Sequence, residues 1–348
     1  MRQLLDPQLI NGALGDPGLY VDLRDERRAL LVDLGDLRRL PPRKLMRLTH
    51  VFVSHTHVDH FVGFDQLLRV LLGRKDRLVL WGGPGFADQV EHKLRAYTWN
   101  VIHRYEVPMT LEVNELALDG SARHASFCSH ERFERRMLDR FAIEDGVLHA
   151  DDSVRVRAAF VDHEMPCLAF AIEETTQIKV WRTRLDALGL PTGPWLTRAK
   201  QAIRAGAPDD TAIEIRWRDR DGEHLRTHSL GALRPAFEPV AGRRIGYVTD
   251  MRFTGDNLRA LDALLADVDL LFIESVFLHE DVDHATRKNH LTARQSGEIA
   301  QRLRAKTVVP THFSPRYEDR AADVIAEVAD AAGSDVTVLD PLAAAPAS

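Results

Sequence analysis

Apolar residues along this chain recur in two rhythms, and the alternation between them outlines the elements. Short apolar runs at 20–23 and 29–32 flank the charged stretch 24–28 and predict a hairpin, with Asp33 closing its second strand. Residues 48–54 form the next strand, ending among histidines, and Phe64, Leu67, Leu68, Leu71 and Leu72 then repeat at helical spacing within 61–72. The same order returns as a strand at 78–81, a Gly-Gly-Pro-Gly turn at 82–85 and a helical stretch at 86–97. Further strands are expected at 110–113, 154–161, 168–172, 244–249, 270–273, 307–309 and 336–339, and helices at 258–265, 293–304 and 321–332. Thr292 and Gln295 form a capping-box pattern that starts one helix just after His290. The segment 105–152, with Arg132, Arg135 and Arg136 beside Asp119 and Glu134, carries no assignable signal and reads as a solvated helix.

Strands and helices interleaved in two strand-rich halves predict an α/β chain in which two sheets pack face to face with helices outside, one domain over residues 1–348. Between the halves the pattern fails. Residues 176–206 hold Lys179, Arg182, Arg184, Arg198, Lys200 and Arg204 against a single acid, Asp186, around the turn Pro191-Thr192-Gly193-Pro194-Trp195. This inserted basic arm is either a solvated helical hairpin or a device for holding a polyanion. The Ala- and Pro-rich tail 342–348 is expected to fray.

Composition narrows the partners. At 348 residues, 45% hydrophobic and 28% charged, the chain has ample core and surface for a globular fold. A net charge of -6 excludes nucleic-acid binding by overall basicity, so a polyanion must be met locally, which gives the arm its interest. Cys128 and Cys167 are too few for a disulfide framework and suit a reducing compartment. Residues 1–23 carry Asp6 and Asp16 and lack a basic start followed by an apolar stretch, and no apolar run approaches the ~20 residues of a membrane span. A cytoplasmic protein without a membrane partner is expected.

The chemistry concentrates in Ser54-His55-Thr56-His57-Val58-Asp59-His60. In an extended segment His55, His57 and Asp59 point one way, and His60 turns in as the helix begins. Imidazole nitrogens with a carboxylate suit zinc or a similar borderline divalent metal, with manganese and iron(II) as alternatives. Four such donors exceed what one ion with an open position accepts, so two ions are implied. His163, Asp250 and His312 each follow an apolar strand, as His55 does, and supply the remaining donors.

These residues resemble a known family. Ser54 to His60 with Gly63 matches the HxHxDH signature of metallo-β-lactamase-fold hydrolases. Asp33-Leu34-Gly35, Val161-Asp162-His163-Glu164-Met165-Pro166, Gly193-Pro194, Thr249-Asp250, Glu274, His290-Leu291-Thr292-Ala293 and Thr311-His312-Phe313-Ser314-Pro315-Arg316-Tyr317 are similar, in the same order, to the ribonuclease Z branch, the tRNA 3′-processing endonucleases. The resemblance implies a four-layer αβ/βα sandwich, a dinuclear metal site at its edge, an arm that grips tRNA, and a homodimer. Carried over by position, His55, His57 and His163 would hold one metal, Asp59, His60 and His312 the other, and Asp250 would bridge them. Asp33 would orient a ligand from behind. His290 would give a proton to the leaving group, Glu274 would orient it, and with Asp59 they form the implied catalytic set. Arg316, Gly193, Pro194, Arg198 and Lys200 would contact substrate.

The implied activity is metal-dependent, endonucleolytic cleavage of RNA at a tRNA 3′ trailer. Two divalent ions about 3.5 to 4 Å apart activate water and offset charge growing on phosphoryl oxygens, and a histidine with a pKa near 6.5 suits the proton transfer. Two other readings stand beside it. One is a hydrolase of a small phosphodiester such as a cyclic nucleotide, and the other is a non-catalytic RNA-binding protein of the same fold.

Overall fold

In the strand Arg28–Val32 all four apolar residues are buried, but alternate ones meet different neighbours: Leu30 and Val32 face a second sheet, whereas Ala29 and Leu31 lie under helices. Burial on both faces sets the architecture. The computed structural model describes residues 3–24, 26–175, 177–219, 222–240 and 242–342. Apart from Leu342, the tail expected to fray lies outside the described residues, as does Thr176, where the basic arm was expected to begin.

One sheet has eight strands in chain order: Leu5–Leu9, Leu19–Leu23, Arg28–Val32, Leu48–Phe52, Arg77–Gly82, Thr110–Leu116, Ser121–Cys128 and Arg135–Ala142. Arg28–Val32 through Thr110–Leu116 run parallel, and the flanking pairs are antiparallel. The other sheet has seven, ordered Thr337–Val338, Thr307–Thr311, Leu270–Glu274, Arg244–Val248, Pro166–Glu174, Val154–Asp162 and Val147–Ala150, the first four parallel. The sheets share an apolar interior in which Phe52 meets Phe170 with ring centroids 5.9 Å apart. Helices Phe64–Leu71 and Phe86–Arg95 cover the outer face of the first sheet, and Gly255–Leu265, Ala293–Arg302 and Ala321–Ala332 cover that of the second. The result is the four-layer αβ/βα sandwich of the metallo-β-lactamase fold. The expected capping box on Ala293–Arg302 is present, with Thr292 and Gln295 bonding each other's backbone.

A second compact unit comprises Asp151–Ser153 and Glu174–Gly242. It contains helices Arg182–Ala187 and Trp195–Arg204 and two antiparallel ribbons, Gln177–Val180 with Phe237–Val240 and Ala212–Asp219 with Gly222–Ser229. Trp195, Leu185, Ile215, Leu230 and Leu233 fill its own small core. The arm drawn at 176–206 is therefore the first half of a longer unit, whose second half was masked by the charged residues of its hairpin.

Two expectations are corrected. The segment 105–152 is not a solvated helix; it contributes four strands, Thr110–Leu116, Ser121–Cys128, Arg135–Ala142 and Val147–Ala150. Ser121–Cys128 buries Ala122, Ala125 and Phe127; two of these are small and a register shift between Arg123 and Ala125 interrupts the alternation, and Arg135 is held by Asp88 and Glu91 of a covering helix. The helix expected over 61–72 is broken at Gly63 into Val58–Phe61 and Phe64–Leu71. A Cβ on Gly63 would lie 2.1 Å from the Gly35 carbonyl, and the Gly63 N–H donates to the Leu34 carbonyl at 2.8 Å, so the chain bends to seat the loop after Asp33. No helix among the described residues is long and apolar enough to cross a membrane.

Candidate metal centre

Strands end at one edge of the sandwich, and the residue types that bind metal stand just beyond those ends. Asp33 follows Arg28–Val32, the run Ser54 to His60 follows Leu48–Phe52, and His163 follows Val154–Asp162. Asp250 follows Arg244–Val248, Glu274 ends Leu270–Glu274, and His312 follows Thr307–Thr311. Folding brings them into three overlapping groups whose donor atoms lie within 4.8 Å of one another: His55, His57, His163 and Asp250; Asp59, His60 and His312; and Asp250, Glu274, His290 and His312. The two oxygens of Asp250 face different sets. Its Oδ2 lies 3.5 Å from His55 Nε2 and from His163 Nε2, while its Oδ1 lies 3.5 Å from His60 Nε2 and 3.0 Å from His312 Nδ1.

Hydrogen bonding leaves room for cations. His55 Nε2, His60 Nε2 and His312 Nδ1 are sealed from solvent yet make no hydrogen bond. A buried polar atom without a partner costs about 1–3 kcal/mol, and three converging on one carboxylate fit the imidazole-carboxylate donor set of a borderline divalent ion. In the metal-free protein protons take over part of that role. Burial opposes charge at Asp250, but His312 and His60 outweigh it and hold this carboxyl well below its ordinary range. Burial also opposes charge on the two imidazoles, yet Asp250 raises His60 well above its usual value and His312 to about 10. His55 is pushed down to about 2 by burial and the neighbouring His60, so it stays neutral with a free lone pair.

Residues behind the donors orient them. Asp33, wholly buried and at φ 60°, accepts the Ser54 N–H at 2.7 Å on Oδ1; on Oδ2 it accepts the Ser54 hydroxyl, the Tyr247 hydroxyl and His60 Nδ1–H, each at 2.9 Å. That carboxylate fixes the His60 tautomer and leaves Nε2 facing Asp250. His163 does the same by donating Nδ1–H to the Asn289 carbonyl at 2.9 Å. The sequence pattern singles out neither Tyr247 nor Asn289, and it includes Ser54 in the histidine run without giving it a role. A tyrosine inside the apolar run Arg244–Val248 was the available signal, since a buried phenol needs a partner.

His290 Nδ1–H donates to Glu274 Oε2 at 2.8 Å, and Glu274 Oε1 accepts the Met251 N–H at 2.7 Å. Burial alone would lower the His290 pKa, but Glu274 raises it above its ordinary value. The His290 ring centroid lies 5.0 Å from that of His163 and 5.7 Å from that of His312. A cleft of about 440 Å³, lined by His57, His163, Met165, Lys288 and His290 among others, opens beside them. The Arg316 guanidinium stands 5.4 Å above the Phe277 ring and 3.3 Å from Asp281 Oδ2, and Phe277 in turn packs near His290. Gly193 and Pro194 lead into the helix Trp195–Arg204 of the second unit, where the exposed Arg198 reaches the Glu214 carbonyl and burial lowers the Lys200 pKa. None of these four belongs to the donor groups.

The β-lactamase superfamily domain matches residues 203–313. The chain is 33% identical over 322 residues to the ribonuclease Z of Deinococcus radiodurans, covering 91% of this chain and 92% of that protein. It is 26% identical to the ribonuclease Z of Brevibacillus brevis, covering 81% of this chain and 73% of that protein. In fold it is similar to the crystal structure of human tRNase Z, short form, with a TM-score of 0.52 at 17% identity and 96% of each chain covered. With a relative this similar aligned along nearly its whole length, the chain belongs to the ribonuclease Z family, metal-dependent endonucleases of the metallo-β-lactamase fold.

Proposed function

We propose that this protein cleaves RNA at the 3′ trailer of a tRNA precursor, using two zinc ions held by His55, His57 and His163 on one side and by Asp59, His60 and His312 on the other, with Asp250 between them. The observation that carries this reading is the Asp250 carboxylate, whose two oxygens face two different sets of imidazoles. The ribonuclease Z relatives support RNA as the substrate class, and the likeness to human tRNase Z points the same way. Two such ions, when bound, supply activated water at neutral pH and offset charge on the phosphoryl oxygens.

The chain's own residues do the rest. Asp33 holds His60 in the tautomer that offers Nε2 to the site. Glu274 raises the His290 pKa and so favours the charged imidazole that can deliver a proton to the departing oxygen. Arg316 takes a phosphate, and exposed basic side chains of the second unit, Arg182, Arg198 and Arg204, bind backbone phosphates of the RNA. The free thiols Cys128 and Cys167 support a cytoplasmic setting. Incubating zinc-loaded protein with labelled precursor tRNA, single-stranded RNA and DNA, and reading the termini, tests the proposal. Cleavage confined to the tRNA 3′ side is expected; hydrolysis of only a small phosphodiester would overturn it.

A further inference from the structure

Three residues that are sequence neighbours of site residues meet one another. Glu164 follows His163, Arg252 lies two residues after Asp250, and Asn289 precedes His290. Arg252 Nε donates to Asn289 Oδ1 at 2.7 Å, and Asn289 Nδ2 donates to Glu164 Oε2 at 2.8 Å. Arg252 Nη2 lies 3.7 Å from the same Glu164 oxygen, which closes a three-membered ring of side chains. The ring is anchored below, where Arg252 N–H donates to the Asp162 carbonyl at 2.9 Å and the buried Asn257 amide binds the backbone of both Asp162 and Arg252.

The backbone at the ring is unusual as well. Asn289 ends the helix Val282–Lys288 at φ 63°, and Glu164 sits at φ 65°, the left-handed region that few non-glycine residues adopt. Asn289 thus meets three demands together: a left-handed backbone, an acceptor for Arg252 and a donor for Glu164. Glycine would meet only the first. What the ring holds is one peptide with two duties. The Asn289 carbonyl fixes the His163 imidazole through Nδ1, and the same peptide unit leads into His290, whose Nδ1 is tied to Glu274.

We propose that Asn289, clamped between Arg252 and Glu164, is a positioning residue that sets the metal-facing nitrogen of His163 and the proton donor His290 relative to each other. The inference rests on the roles given above to His163 and His290. Metal affinity and turnover are therefore coupled through a residue that touches neither ion nor substrate.

The test uses full-length protein and zinc as the probe. Asn289→Gly keeps the left-handed backbone but removes both side-chain bonds; it should weaken zinc affinity, measured on metal-free protein by competition with a chromophoric chelator, by about 10–100-fold, the usual effect of losing an outer hydrogen-bond partner. Its kcat on labelled precursor tRNA should fall by a similar factor while KM holds within about two-fold. Asn289→Asp sets a carboxylate against Glu164 and should be worse. Adding Glu164→Gln to it restores a donor across the gap and should recover affinity and kcat to within about threefold of the parent. A residue that merely capped its helix would lower the melting temperature without shifting zinc affinity, and the double variant would not rescue it; either result overturns the proposal. Two controls separate this failure from that of the site reading. His163→Ala must lose zinc and His290→Ala must lose turnover with zinc retained. If both behave so while Asn289→Gly matches the parent, the coupling alone is wrong; if either control fails, the assignment beneath it falls.

Discussion

Glu274 receives His290 Nδ1–H at 2.8 Å with one oxygen while its other oxygen is taken by the Met251 backbone, so a carboxylate without solvent contact is committed to a single imidazole. Its charge raises the His290 pKa against the opposing effect of burial. Removing that charge lets burial prevail. In Glu274→Gln the alkaline limb of the kcat–pH profile should therefore move to lower pH, and in His290→Ala kcat should fall by about 10²–10⁴-fold with zinc content unchanged. An unmoved limb would mean that His290 is not the proton donor.

Asp250 supplies an oxygen to each donor set, so Asp250→Ala should lose most of both ions by elemental analysis, whereas His57→Ala should lose mainly one. Retention of one tightly held ion in Asp250→Ala would separate the two sets.

Metal-free protein should respond to pH with a definite sign. His312 is raised from 6.5 to about 10 when folded, so its charge contributes stability that is complete below 6.5 and is lost as the pH climbs through about 10. His60 adds to the same trend. Asp250, depressed below 3.8, contributes stability above that value and loses it in acid. Thermal melts of chelated protein should fall between about pH 7 and pH 10, and saturating zinc should flatten that decline while releasing protons measurable by calorimetry in buffers of different ionisation enthalpy. A melting temperature that rises across this range would contradict the assignment.

The basic side chains of the second unit are best tested without deleting it, because Trp195 is central to its core. Replacing the exposed Arg182, Arg198 and Arg204 with Ala should raise KM for precursor tRNA and reduce the slope of log affinity on log salt by about 0.7–0.9 per lost phosphate contact. Hydrolysis of a nitrophenyl phosphodiester should be unchanged. An unaltered salt slope would remove this unit from substrate binding.

The metal-type donors were legible because four of them crowd into Ser54 to His60 and the others stand at strand ends, where a change from apolar to polar is easy to see. Strands with large apolar residues were legible for the same reason. What escaped was carried by contacts between distant segments. The alternation in Ser121–Cys128 is interrupted by a register shift between Arg123 and Ala125, the break at Gly63 depends on the Gly35 carbonyl, and Ser54, Tyr247 and Asn289 matter through the groups they touch. The second unit was cut short because the hairpin Ala212–Asp219 and Gly222–Ser229 gains its apolar face only when Ile213 and Ile215 meet Leu230 and Leu233.

The placement of donors at strand ends from both sheets also bears on how the molecule is made. His55, His57, Asp59 and His60 are synthesised well before His312, which reaches Asp59 from the end of a strand, Thr307–Thr311, that pairs in parallel with Leu270–Glu274. Long-range parallel pairing is slow, since loop closure must be accomplished before contacts compensate for it. A divalent ion held by these donors would therefore draw on segments far apart in the chain, and a chain truncated before Thr307 lacks His312 and offers an incomplete donor set. Tight metal uptake would therefore report that Thr307–Thr311 has docked beside Leu270–Glu274 and brought His312 to the other donors.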